Sequence, residues 1–208
     1  PEIYAGGSFT SSGTRSVARI ARWDGAQWQA LGAGLNGTVN DLCVFDDGAG
    51  KKLYATGSFT AAGGNSASNI AAWDGAQWTA LGTGRNGTGT KLWSWNGELY
   101  VSGQFTLAGG VSANRIARWD GEVWRDCGAG LNGNGTMLTT AKVNGEQLLL
   151  AGGDFTTAGI TPANRLAVWN GVDWAPLGAG INSSPHTAQN FLFEGLPTLF
   201  IAGSMTTA

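Results

Sequence analysis

Apolar residues along this chain come in short runs separated by turn residues, and the stretch from Val39 to Leu81 shows the pattern most clearly. Val39–Phe45 is mainly apolar and stops at Asp46-Asp47-Gly48. Leu53–Phe59 alternates small and large side chains, and Asn69–Trp73 and Gln77–Leu81 are two further short runs. Runs of this length bounded by turn chemistry predict four β-strands. Asp74-Gly75 between the last two predicts a two-residue type I′ hairpin, in which both central residues take positive φ. In that register Trp73 faces Ala76 and Ala71 faces Trp78, so both indoles point to the same face. No segment sustains the 3.6-residue period of an amphipathic helix, and no helix is expected.

The same pattern recurs along the whole chain. WDGAQW occurs at Trp23–Trp28 and Trp73–Trp78, WDGEVW at Trp119–Trp124 and WNGVDW at Trp169–Trp174. Upstream of these, AGGSFT, ATGSFT, VSGQFT and AGGDFT end at Thr10, Thr60, Thr106 and Thr156, and a fifth copy, AGSMTT, ends at Thr207 with Met205 in place of phenylalanine. A third motif, LGAGLNG in its first copy, begins at Leu31, Leu81, Cys127 and Leu177. Four strands and one hairpin in each unit of about 45–50 residues predict an all-β chain of four-stranded antiparallel β-propeller blades. The repeat units are 1–35 (partial), 36–85, 86–131, 132–181 and 182–208 (partial), within a single domain 1–208. Trp23, Trp28 and their equivalents are expected between the faces of adjacent sheets, where paired indoles fill the gap.

The glycine pair Gly6-Gly7 or Gly152-Gly153, the Ala-Arg-Trp-Asp strand that follows it, and a second tryptophan at fixed distance resemble the kelch motif. The second glycine is kept in all five copies, whereas the first gives way to Thr56, Ser102 and Ala202. The longer pattern is similar to repeats in fungal cortical polarity-marker proteins and in large secreted bacterial propeller proteins. The resemblance covers the whole chain and implies a surface-exposed propeller without enzymatic activity; propellers host many activities, so fold alone does not assign function. Some kelch-type propellers are copper oxidases with several histidine ligands, a set that the single histidine here does not supply.

With strands lettered a to d from the propeller axis outward, the chain runs bcd, abcd, abcd, abcd, ab. Joining its ends would leave one b strand too many for four blades. The 208 residues are therefore expected to be part of a larger propeller, packing against the remaining blades of the parent chain or self-associating.

Composition narrows the function classes. Ten tryptophans and eight phenylalanines argue against disorder. A net charge of −2 gives no electrostatic reason to expect nucleic acid, and no apolar run approaches the ~20 residues of a membrane-spanning helix. Charged residues at 12%, with few lysines, suggest an extracellular or cell-surface location. Cys43 and Cys127 match no metal-ligand spacing and are expected as buried thiols or, alternatively, as a disulfide. His186, in Ser183-Ser184-Pro185-His186, is expected as a solvated loop residue. Asp24, Asp74, Asp120 and Asn170 share the first position of the repeated turn, which a general acid would not share with an amide. No catalytic residue, cofactor or metal site is expected, although a calcium loop at Asp46-Asp47 or Asp154 is an alternative.

Arg15, Arg19, Arg115 and Arg165 fall in or just after the loop between the second and third strands, and the last three share one repeat position, occupied by Asn69 in the second unit. Arginines there either bond turn carbonyls or form a polar ring for a carboxylate or sugar ligand. Four sequons, at Asn36, Asn86, Asn134 and Asn182, are acceptors if the protein is secreted from a eukaryote, although a turn requirement accounts for the regular placement of three. The expected function is recognition of a protein or glycan partner, or scaffolding. The alternatives are a lectin-like propeller and a non-catalytic part of a larger secreted enzyme.

Overall fold

The computed structural model describes residues 2–194 and 196–206, and Thr207, the end of the fifth motif copy, lies outside them. The described residues contain strands and turns and no helix. Three sheets have four antiparallel strands each, paired in chain order. The second consists of Val39–Asp46, Lys51–Gly57, Ile70–Trp73 and Trp78–Ala80. The third consists of Gly89–Trp95, Glu98–Gly103, Ile116–Trp119 and Trp124–Asp126. The fourth consists of Gly135–Val143, Glu146–Gly153, Leu166–Trp169 and Trp174–Pro176. A three-stranded sheet (Ile3–Gly6, Ile20–Trp23, Trp28–Ala30) precedes them, and a hairpin of Pro185–Phe193 and Leu196–Gly203 follows as a fifth sheet.

The core is a series of layers between consecutive sheets. One cluster joins Phe45, Tyr54 and Leu81 of the second unit to Leu99, Val101 and Trp124 of the third; another joins Tyr100 and Ile116 to Leu149, Phe155 and Trp174. Two more clusters fill the gaps between the first and second and between the fourth and fifth sheets. A sheet covered on both faces needs apolar residues on both, which is why these strands carry so few charges.

A tryptophan pair stands in each of the three gaps between the first four sheets. Trp73 pairs directly with Trp78, ring centroids 5.5 Å apart, and Trp23–Trp28, Trp119–Trp124 and Trp169–Trp174 do the same. In the last three pairs the second indole reaches across to the preceding unit. Trp78 Nε1 donates to Leu31 O at 3.0 Å, Trp124 to Leu81 O at 3.0 Å and Trp174 to Cys127 O at 2.8 Å. A buried indole N–H needs an acceptor, and this one ties successive sheets together. Five of the eight indoles are buried, while Trp23, Trp28 and Trp73 are half-buried.

The turn between the paired tryptophans differs from the expected two-residue type I′ hairpin. It has four residues, and only its glycine takes positive φ, 105° at Gly75. Asp74 Oδ1 accepts the backbone N–H groups of Ala76 and Gln77 at 2.8 Å, and Asn170 Oδ1 accepts those of Val172 and Asp173 at the same distance. Aspartate and asparagine interchange here because each offers the same acceptor oxygen, and left-handed backbone plays no part.

The kept second glycine has a steric cause. A Cβ at Gly57 would run into Thr38 O, and one at Gly103 or Gly153 would run into Thr88 O or Asn134 O, the backbone leading into the first strand beside it. No such backbone stands beside Gly152, whose Cβ would meet only side chains.

Replacing Trp78 with alanine is expected to cost about 3–5 kcal/mol in urea unfolding. Trp78→Phe keeps a ring and loses one donor, and because Leu31 O still accepts Gly34 N–H the expected cost is nearer 1 kcal/mol. Equal losses in the two variants would mean that the hydrogen bond, not packing, dominates.

The turn aspartates also set an acid response. Backbone N–H groups hold the Asp74 and Asp120 carboxyls below the usual range, and Asp24, bonded first by the Gln29 amide, lies at about 2. Depressed values favour the ionised form in the fold, so this stability is present above the unfolded carboxyl pKa near 4 and is lost as pH falls toward the folded values. A variant with asparagine at positions 24, 74 and 120 keeps the turn acceptors but loses the charges and the Arg125 ion pair, so it should be somewhat less stable than the parent near neutrality. Its melting temperature should fall less below about pH 4.

Candidate functional site

Each first strand is irregular at the same place. The register shifts between Val39 and Asp41, between Gly89 and Lys91, between Gly135 and Met137, and between Pro185 and Thr187. The extra residues of these bulges are Asn40, Thr90, Thr136 and His186. A bulge bends its strand and re-aims the neighbouring side chains. First strands of consecutive sheets lie side by side, and residues just after the bulges from four sheets line one pocket of about 220 Å³. Its wall includes Asp41 and Cys43, Lys91 and Trp93, Met137 and Leu138, and His186 and Thr187. His186 is exposed, as expected, but it lies in a strand and not a loop: it is the bulge residue of Pro185–Phe193, and the strand begins earlier than a Ser-Ser-Pro stretch suggests.

The pocket carries charge of both signs. Asp41 Oδ2 accepts Leu92 N–H at 2.9 Å, and Lys91 Nζ lies 4.0 Å from Asp41 Oδ1. Burial pushes the Asp41 carboxyl up, against the pull of Leu92 N–H and Lys91. Burial likewise pushes the Cys43 thiol up to about 11, so it stays protonated and a poor nucleophile at neutral pH. Asn40 Nδ2 donates to Gly89 O at 2.7 Å, tying the rim of the second sheet to the third. Cys43 and Cys127 are both free thiols, and no disulfide joins them. Among the described residues, no three of His, Cys, Asp or Glu cluster closely enough to hold a metal ion. Asp46 and Asp47 instead accept backbone N–H groups within their own turn.

The chain matches no family model, and no curated protein matches it.

The arginines and sequons singled out by the repeat divide differently. Arg19, Arg115 and Arg165 share left-handed backbone, φ 62–65°, and donate from Nη1 to Leu35 O, Leu131 O and Ile181 O at 3.0, 3.2 and 3.4 Å. Asn69, at φ 67°, makes the same bond to Arg85 O. Arg15 is exposed and bonds the Gln29 side chain. Asn36 and Asn86 are clamps: each Oδ1 accepts two backbone N–H groups, from Thr60 and Ala61 or from Thr106 and Leu107, while Nδ2 donates to the same threonine hydroxyl. Asn182 clamps Thr206 in this way, and so does Asn132, which is no sequon. Asn134 sits two positions later, half-buried, with no side-chain hydrogen bond among the described residues.

Arg85 went unnoticed in the sequence. It stands where the other units have Leu35, Leu131 and Ile181, and it is 3% exposed. Its guanidinium bonds Thr56 Oγ1 and Asn69 O, lies 5.1 Å from the Phe105 ring centroid, and leaves Nε and Nη1 without partners. Burial lowers its pKa to about 9. Gly89, where the first unit of this kind has Val39, leaves room for it. The visible signal was the exchange of residue types within one unit, Asn69 for arginine and Arg85 for leucine. Arg85→Leu restores the residue that the fold uses elsewhere and removes a buried unpaired charge, so it should raise stability by about 1–4 kcal/mol in denaturant unfolding. A loss of stability would mean that the two guanidinium bonds outweigh desolvation.

Proposed function

We propose that the stacked sheets are blades of a kelch-like β-propeller and that the protein is a non-enzymatic recognition module. It acts outside the cell or at its surface, and it binds its partner through the pocket between the first strands. One observation carries this reading: the repeated residues are occupied inside the fold, and the positions that differ between repeats face that pocket. The tryptophans pack between sheets, the turn aspartates and asparagines bond backbone, and the repeated arginines bond carbonyls. By contrast, one repeat position of the first strand reads Asp41, Lys91, Met137 and Thr187 around the pocket. A lectin with one site per blade would expose the same polar and aromatic set in every unit. Mixed charge beside Trp93 and Leu138 suits a protein side chain or a glycan with polar and apolar parts.

A fragment library screened by NMR tests the reading. Shifts should gather at Asp41–Cys43, Lys91–Trp93 and His186–Ala188, and Lys91→Met, which copies Met137, should weaken the polar binders. Shifts recurring at one repeat position in every sheet would replace this reading with the lectin one.

A further inference from the structure

A second cleft lies between the third and fourth sheets and does not depend on the pocket just described. It holds about 330 Å³ and is lined by Asn86, Gln104, Phe105, Thr106, Arg115 and Asn134. No carboxylate is among these residues. Arg115 uses Nη1 on Leu131 O, makes no salt bridge among the described residues, and leaves the rest of its guanidinium fork uncommitted. The side-chain amides of Gln104 and Asn134 make no hydrogen bond among the described residues. The buried Phe105 ring carries the Arg85 guanidinium, which has no counter-charge, 5.1 Å from its centroid, so a second cation lies close to the cleft that Arg115 lines.

The repeat makes this cleft distinctive. The position of Gln104 is Ser8, Ser58 and Asp154 in other units, and that of Asn134 is Thr38, Thr88 and Ser184. Only the third-to-fourth junction thus combines arginine with two free amides. The fourth unit's Asp154 would repel an anion, and the second unit has Asn69 in place of the arginine.

We propose that this cleft binds a sugar acid of monosaccharide size. The guanidinium fork matches a carboxylate. An amide both donates and accepts, as a sugar hydroxyl requires of its partner. A volume near the lower end of the ligand-pocket range admits one small molecule.

Glucuronate is the probe, with glucose and acetate as controls, and the side-chain amide signals of Gln104 and Asn134 are the readout. Glucuronate should shift both saturably and bind at least about tenfold tighter than either control, a difference of about 1.4 kcal/mol. Arg115→Asn removes the charge while keeping the backbone conformation and carbonyl bond that Asn69 shows are compatible with the fold. It should abolish the preference for glucuronate over glucose at an unchanged melting temperature. Gln104→Asp, which copies Asp154, should abolish binding. If Arg115→Asn unfolds, Gln104→Asp alone decides. The proposal is overturned if glucuronate causes no saturable shift, if glucose or acetate binds as well, or if a folded Arg115→Asn or Gln104→Asp variant still binds glucuronate as the parent does.

Discussion

A four-stranded sheet that is apolar on both faces has no stable existence alone, and covering those faces governs everything else in this protein. The solution is a neighbour of the same kind, with a tryptophan pair filling the gap and the second indole donating to a carbonyl of the unit before. That bond spans 43–47 residues and recurs three times, so each sheet is placed by its predecessor. The backbone must also pass close beside the end of each second strand, which leaves no room for a side chain at Gly57, Gly103 or Gly153.

Once the stack is formed, most of the repeated polar residues are committed to it. Asn36, Asn86 and Asn132 each fasten a turn to the following hairpin loop, and Asp24, Asp74, Asp120 and Asn170 close the outer turns. What is repeated is therefore mostly structural, and the positions released from the repeat are the ones left free to vary. Those positions sit where the bulged first strands meet and where the third and fourth units face one another.

Arg85 departs from this economy. Three units place an aliphatic residue in the same setting, and the second places a cation with two unsatisfied N–H groups. Among the described residues the only other buried side-chain nitrogen without a partner is Trp169 Nε1, so a charged group in this state stands out. Arg85 packs on the ring of Phe105, which lines the cleft that holds Arg115, so it adds positive potential near a cleft whose lining has no carboxylate. In a low-dielectric interior an unpaired charge acts over longer distances than at the surface.

The residue pattern alone determined the all-β class, the four strands of a unit, and the adjacency of the two strands that carry each tryptophan pair, though not their register, in which Trp73 meets Trp78 and not Ala76. These follow from period-2 alternation, turn composition and repetition, which are local properties of the chain. It also showed that the second glycine matters, though not that Thr38 O is the atom it avoids. Tertiary structure decided the rest. The turn residue Asp74 acts through its side-chain oxygen, which the Asp-Gly pair alone does not distinguish from a type I′ hairpin. His186 enters a strand, and a pocket, because a bulge shared by four first strands brings together residues some 50 positions apart. Arg85 is buried because the second and third sheets close over it. Burial, unmet hydrogen bonds and convergence of side chains depend on which surfaces touch, and no window of local sequence contains both surfaces.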